Sequence, residues 1–226
     1  MGAHSLIGCA TGVVVKEAAV GFRVHSGWAA MVAVGLEKGR PSVLARERVH
    51  LVETFSYTFR QPYHTAEKMA LEEGRAFISG VKSEARRLAL GAIRRLQSEM
   101  PGQGYQLTRC GLLLASGRPL PALEKVLASH ALIHTADGEL FREAILYASE
   151  RCGLREFTIK DKELLDVAGR TFRVKPAVLL RRATELGWPL GAPWSQDEKF
   201  ATLAAWIALA SSSKNISKGR GKLASA

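Results

Sequence analysis

Histidine and acidic residues near the middle of the chain have a spacing suited to metal binding. His130 and His134 lie four residues apart and are followed by Asp137 and Glu139. On one continuous helix the two histidines would share a face and could bind a metal such as zinc. Residues 135–138, however, are typical of a helix start, where the threonine or the aspartate accepts from the first free N–H groups. The pattern therefore favours helix capping, with His134 in a loop, over metal binding.

Paired arginines form the second group of residues that could do chemistry. They lie on two predicted helices: Arg86, Arg87, Arg94, Arg95, Arg181 and Arg182. Clustered guanidinium groups bind phosphates, and such binding weakens as salt is added. An ordinary solvated face is the alternative, since Glu84 and Glu99 are near enough to neutralise part of the charge. The basic excess of the chain favours binding.

Composition limits the class of protein. The 226 residues include 32 lysines and arginines against 21 acidic residues, which gives a net charge of +11, and 47% are hydrophobic. A chain of this size can bury a core without disulfides. The three cysteines are widely spaced and include Cys110 in an apolar run, which favours inert thiols in a reducing cytoplasm over a disulfide or zinc framework. No apolar run approaches the roughly 18 residues of a membrane-spanning helix.

Common catalytic motifs are missing from the sequence. GxxxxGK[ST], GxGxxG, GxSxG and HExxH patterns do not occur. P-loop hydrolysis, dinucleotide redox chemistry, serine hydrolysis and zincin chemistry are therefore unsupported. The positive charge points instead to a polyanionic partner.

Changes in hydrophobic period predict the elements that must position these side chains. Alternating or continuous apolar runs predict strands over residues 22–36, 41–52, 54–59, 105–115 and 155–159. The connector 37–40 predicts a hairpin, so the first strands form an antiparallel meander. Three- and four-residue spacing predicts helices over residues 66–100, 121–129, 137–151, 162–168, 176–186 and 196–210. This order predicts an α/β fold with a mixed sheet.

Three segments divide the chain. Residues 1–19 are weakly specified, and residues 20–210 form the predicted domain. Residues 211–226 contain Lys214, Lys218, Arg220 and Lys222 with no acid, and too little apolar content to offset the entropy of ordering. We therefore predict a basic disordered tail.

Three stretches resemble ribonuclease H-like domains, and within that superfamily the Holliday-junction resolvase branch. Residues 23–27 followed by 28–32 resemble the first strand, a turn and the resumed strand. Residues 111–116 lie where the fourth strand of the family presents an acid, and residues 175–209 resemble its final helices. The resemblance implies an association with nucleic acid, and a site in which several carboxylates hold two divalent metals.

The chain departs from that carboxylate pattern. His25 takes the first-strand acid position and Ser116 the fourth-strand position, and Glu198, beside Asp197, is the acid of the final helix. Magnesium prefers oxygen ligands, so it is implied only if the site is intact. In the resemblance, His25, Ser116 and Glu198 are the candidate catalytic residues. His25 would be a general base and Arg118 a phosphate clamp beside the other arginines.

We therefore predict a nucleic-acid-associated ribonuclease H-like protein with a degenerate or altered metal-nuclease site. It would bind duplex or branched nucleic acid. The alternative is a non-catalytic interaction module, in which an apolar surface that includes Trp188 and Trp194 binds a protein partner or a second copy. A third possibility is an enzyme of altered chemistry around His25, Ser116 and Arg118.

Overall fold

A five-stranded mixed sheet runs through the computed structural model, which describes residues 15–115 and 119–211. Its strands are β1 (Lys16–His25), β2 (Trp28–Glu37), β3 (Arg40–His50), β4 (Tyr105–Leu114) and β5 (Arg155–Lys160). The order is β3-β2-β1-β4-β5, with β2 antiparallel to β1 and β3, and with β4 parallel to β1 and β5. The predicted mixed sheet with an N-terminal meander is confirmed.

Two tight turns shape the meander. Lys38 and Gly39 have φ values of 50° and 77°, which are the left-handed conformations of a two-residue hairpin turn. Gly27, at φ 81°, turns the chain between β1 and β2, so the apolar run over residues 22–36 is divided between two strands. The strand predicted over residues 54–59 is wrong, because β3 already completes the meander and the chain then enters a helix.

Eight α-helices are present in the described part of the chain. They are α1 (Tyr57–Arg60), α2 (Pro62–Ala66), α3 (Leu71–Glu99), α4 (Leu123–Leu127), α5 (His130–Arg151), α6 (Leu164–Phe172), α7 (Pro176–Glu185) and α8 (Gln196–Ala210). None of them is both long and apolar enough to span a membrane. The prediction that a helix starts near residue 137 is wrong, because α5 begins at His130. Ile133 and Ala136 are buried in a small core, so packing favours helix through the predicted start.

Helices cover both faces of the sheet. Helices α3 and α5 pack on one face, where a long buried stripe of α3 meets the sheet. Helix α8 packs on the other face with α6 and α7 beside it. A Cβ atom at Gly21 of β1 or Gly111 of β4 would collide with the backbone of α8, at Ala201 and Ala204 respectively. These two glycines therefore let α8 lie directly on the strands.

Three predictions concern residues outside the described ranges. The tail after residue 211 and most of the N-terminal segment lie there, although β1 already begins at Lys16. Ser116 and Arg118 also lie outside the described residues. Their predicted roles remain predictions.

Candidate functional site

Polar side chains line up in two rows where β1 ends, β2 begins and β3 ends. In one row, Arg23 of β1, Ala30 of β2 and Arg48 of β3 lie side by side. In the next row, His25, Trp28 and His50 lie side by side. Because side chains alternate along a strand, these rows lie on the same face as Gly21, which is the face that contacts α8. The carboxyl end of β1 therefore carries basic and aromatic groups.

Arg23 joins two aspartates from distant parts of the chain. Its Nε donates to Oδ2 of Asp161 at 3.0 Å, and its Nη1 donates to Oδ1 of Asp197 at 3.0 Å. Asp161 follows β5, whereas Asp197 lies in the first turn of α8. The guanidinium also lies over the ring of Phe200, 4.8 Å from its centroid. The Arg23 guanidinium thus links the end of β1, the segment after β5 and the first turn of α8.

His25 belongs to the same network. Its Nε2 lies 2.9 Å from Oδ1 of Asp197, the oxygen that Arg23 also contacts. An ionised carboxylate only accepts hydrogen bonds, so the network assigns the proton to Nε2 and leaves Nδ1 as the free acceptor. The imidazole stacks on Trp28 with centroids 4.4 Å apart. The predicted role of His25 as a general base would therefore fall to Nδ1.

Glu198 has a structural task at the start of α8. Its Oε2 accepts from the Ser195 backbone N–H at 2.7 Å and from the Ser195 hydroxyl at 2.6 Å, while the serine oxygen accepts from the Asp197 N–H. These contacts form a capping box. The acid that meets His25 is Asp197 rather than Glu198, and no described contact tests a catalytic role for Glu198.

The described residues do not suit a pair of magnesium ions at this position. A hard divalent cation requires several free oxygen ligands. Asp161 and Asp197 are the acids that converge here, and both already hold the guanidinium of Arg23 at 3.0 Å. A further cation would meet the repulsion of Arg23 and would have to displace it. No metal-dependent step is therefore derived from this site.

Rings and guanidinium groups alternate next to this network. The Arg48 guanidinium lies 3.9 Å from the Trp28 ring centroid and 5.7 Å from that of Phe55. Arg60, the last residue of α1, has its guanidinium 4.5 Å from the Phe55 ring centroid. Its Nε donates to the Ser26 carbonyl at 3.3 Å. We call this the sheet-end surface, and it consists of His25, Trp28, Arg48, His50, Phe55, Tyr57 and Arg60.

The sheet-end surface presents both charge and rings to solvent. Phe55 is 39% exposed and Tyr57 is 60% exposed, and Arg48 and His50 are also exposed. Within residues 15–115 and 119–211, Arg48 and Arg60 have no acidic partner. Their charge is therefore available to an anionic ligand.

The arginines of α3 are engaged differently. Of the four that the sequence grouped, three form ion pairs with glutamates: Arg86 with Glu143, Arg87 with Glu53, and Arg95 with Glu47. Hydrogen bonds to those glutamates raise the pKa of Arg86 and of Arg95. Arg94 is exposed and contacts Cys152.

These arginines do not share one surface. Arg86 points to α5, whereas Arg87 and Arg95 point to β3 and the segment after it. Arg181 and Arg182 lie exposed on α7, which is on the opposite face of the sheet. The structure therefore separates the six arginines that the sequence grouped as a binding set.

Several residues of the site escaped the sequence analysis. Arg48, Phe55 and Arg60 were not singled out, and Arg23 was noted only as part of a strand. The two-residue spacing of Arg46, Arg48 and His50 along β3 was an available signal, since alternate residues share a face. No local signal indicated that Asp161 would approach β1.

Two solved structures align with most of this chain. The Thermus thermophilus RuvC structure aligns over 85% of this chain and 93% of that chain, with 10% identity and a TM-score of 0.47. T. thermophilus RuvC in complex with Holliday junction substrate aligns over 86% of this chain and 93% of that chain, with 11% identity and a TM-score of 0.46. No protein-family model and no curated protein sequence matches the chain.

The sheet order and the helix layers form an α/β fold with a mixed sheet, so the predicted α/β architecture is confirmed. Both structures are of RuvC, one of them with a Holliday junction, which is the branch that the sequence resembles. At 10 and 11% identity, and with TM-scores of 0.47 and 0.46, the likeness assigns no activity to this chain.

Proposed function

We propose that this chain is a nucleic-acid-binding ribonuclease H-like protein that does not cleave by the two-metal mechanism. The observation that carries the proposal is the character of the sheet end, where guanidinium and aromatic groups stand in place of a carboxylate cluster. The ligand would be DNA or RNA that presents unpaired bases, which includes the branched nucleic acid predicted from the sequence.

Charge supports the choice of a nucleic acid. The chain carries +11, and Arg48 and Arg60 lack acidic partners among the described residues. Phosphate contacts release condensed counterions, so they supply most of the affinity and make it depend on salt. The α3 arginines and the basic tail remain proposed secondary contacts. We expect α3 to contribute less, because binding there requires breaking ion pairs with Glu47, Glu53 and Glu143.

Exposed rings support a preference for unpaired bases. Phe55 and Tyr57 are 39% and 60% exposed, and Arg60 fixes the Phe55 ring from one side. Stacking a base on an aromatic side chain contributes about 1–3 kcal/mol, whatever the base. A duplex keeps its bases stacked on one another and offers fewer of these contacts. The surface therefore suits a single strand or an opened junction.

The binding surface can be tested with variants of the purified full chain. Fluorescence anisotropy would follow a labelled single strand, and a duplex of the same sequence, over a range of salt concentrations. Phe55→Ala should weaken single-strand binding by about 1–3 kcal/mol, because a stacking ring is lost. Arg48→Ala should lower affinity and reduce the slope of log K against log salt by about one.

Two matched variants serve as controls. Trp188→Ala removes a ring that is 73% exposed but lies away from the sheet end, and Arg95→Ala removes an arginine that is paired with Glu47. Both should bind the strand within about twofold of the wild type. Equal losses in all four variants would contradict the assignment of the surface. An absence of any affinity at low salt would overturn the function.

A protein-interaction module is the second candidate, and Trp188 favours it. This residue is 73% exposed beside Leu190, which is 37% exposed. Trp194, in contrast, is half-buried and donates its Nε1–H to the Ala183 carbonyl at 2.9 Å, so it anchors a loop instead of extending the patch. Sedimentation of the same samples distinguishes the candidates, since self-association abolished by Trp188→Ala would support a module of this kind.

A further inference from the structure

Three histidines meet between α2 and α5, where the His64 ring lies 6.4 Å from the Tyr57 ring of the sheet-end surface. They are His64 of α2 and His130 and His134 of α5, and each offers a ring nitrogen within 4.8 Å of the other two. The ring centroids are 4.4 Å apart for His64 and His134, 4.5 Å for His130 and His134, and 5.4 Å for His64 and His130. Because α5 is continuous from His130, its two histidines share a face, one turn apart.

A buried carboxylate orients one of these rings. Nδ1–H of His64 donates to Oδ2 of Asp137 at 2.5 Å, and Oδ1 of Asp137 accepts from the Tyr63 N–H at 2.8 Å. Asp137 is 2% exposed and His64 is 8% exposed. Since Nδ1 carries the proton, Nε2 of His64 is left with its lone pair. A carboxylate–histidine pair is the usual support of a histidine that binds a metal.

The distances suit a small divalent cation. Nε2 of His130 lies 3.0 Å from Nε2 of His134. Two imidazole nitrogens at tetrahedral angles around zinc, each about 2.0–2.1 Å from it, are about 3.3 Å apart. Small rotations of the exposed His130 and His134 rings would therefore place their nitrogens at tetrahedral positions around an ion bound to His64.

We propose that His64, His130 and His134 bind a divalent transition-metal ion, with Asp137 as the positioning residue of His64. Three neutral imidazoles favour zinc, or cobalt and nickel in its place, over magnesium or calcium, which prefer oxygen ligands. Three protein ligands leave a fourth position for water or an exogenous ligand. His130 and His134 are exposed, so solvent reaches that position.

Burial and hydrogen bonding act in opposite directions on Asp137. Burial raises the pKa of its carboxyl, and the hydrogen bonds from Tyr63 and His64 oppose the rise. A cation on the far side of the His64 ring would favour the carboxylate further. The ion would also link α2 to α5, and would thereby fix the position of α2, which follows the sheet-end surface in the chain.

Metal stoichiometry of the untagged, metal-stripped full chain tests the proposal. The chain would be dialysed against zinc and assayed by elemental analysis, and cobalt would be titrated while its visible absorption bands are recorded. We expect one equivalent of zinc per chain, and cobalt bands of the intensity typical of tetrahedral coordination. Zinc should also raise the melting temperature, since it binds the folded state.

Variants locate the ion. His134→Ala and His130→Ala change exposed side chains, and each should lose the bound equivalent together with the zinc-induced rise in melting temperature. His50→Ala, which removes an exposed histidine outside the cluster, should retain both. Asp137→Asn should weaken zinc affinity by about 10- to 100-fold. Wild-type chain that retains no zinc, or equal retention in the His134→Ala and His50→Ala variants, would overturn the site.

Discussion

Arg23 is the residue that defines the chemistry of the sheet end. It contacts Asp161 and Asp197 at 3.0 Å each, and its side chain is 20% exposed. A single cation takes up one oxygen of each carboxylate and places a positive charge where a divalent metal would bind. The same contacts fasten the start of α8 to the end of β1.

Replacing Arg23 should therefore destabilise the fold. In Arg23→Ala, Asp161 and Asp197 lose the guanidinium that they share, although Asp197 keeps its contact with His25, and the two carboxylates repel each other in a partly buried position. We expect a loss of about 1–3 kcal/mol in the free energy of unfolding, measured by urea denaturation. Arg181→Ala is the control, because Arg181 and Glu185 form an exposed pair on one helix and such pairs contribute about 0.3–0.5 kcal/mol. Equal losses in the two variants would show that the Arg23 network does not stabilise the fold.

Sequence patterns located the residue-scale site only approximately. His25 was predicted to lie at the end of the first strand, and it does. Glu198 and Asp197 are adjacent in the sequence. The Ser195 cap engages Glu198, so Asp197 is the acid that contacts His25. Asp137 matched the pattern of a cap and is instead buried against His64, because tertiary packing extended α5 beyond the predicted start.

Elements set the positions of these residues, and α8 is the decisive one. It covers β1 and β4 through backbone contacts at Gly21 and Gly111. The bounds predicted for it, residues 196–210, match the helix. The strand predicted over residues 54–59 failed because alternation over a few residues does not distinguish a strand from a short amphipathic helix.

The close approach of α8 can be tested at Gly111. A Cβ at this position would meet the Ala204 carbonyl, so Gly111→Ala should cost about 1–3 kcal/mol of stability through overpacking. Gly91→Ala is the matched control. It lies in the middle of α3 with open space around it, and alanine should stabilise that helix by up to about 1 kcal/mol. Thermal melts would show whether each variant is more or less stable than the wild type. A stabilising Gly111→Ala would contradict the packing described for α8.

At the scale of the whole molecule, charge distribution matters more than net charge. The sequence predicts a basic protein, but it does not show that Glu47, Glu53 and Glu143 come from distant segments to meet the α3 arginines. At the sheet end, Arg48 and Arg60 have no acidic partner among the described residues and lie beside the exposed ring of Phe55. The sequence therefore predicts a polyanionic partner, whereas only the fold indicates which surface such a partner would use.

Cleavage and binding measured together test the central claim most directly. Labelled single-stranded, duplex and four-way-junction DNA would be incubated with excess protein and magnesium or manganese, then analysed on native and denaturing gels. We predict retarded complexes at low salt with every strand intact. Metal-dependent cleavage that EDTA abolishes, and that an Asp161→Asn/Asp197→Asn variant lacks, would contradict the account.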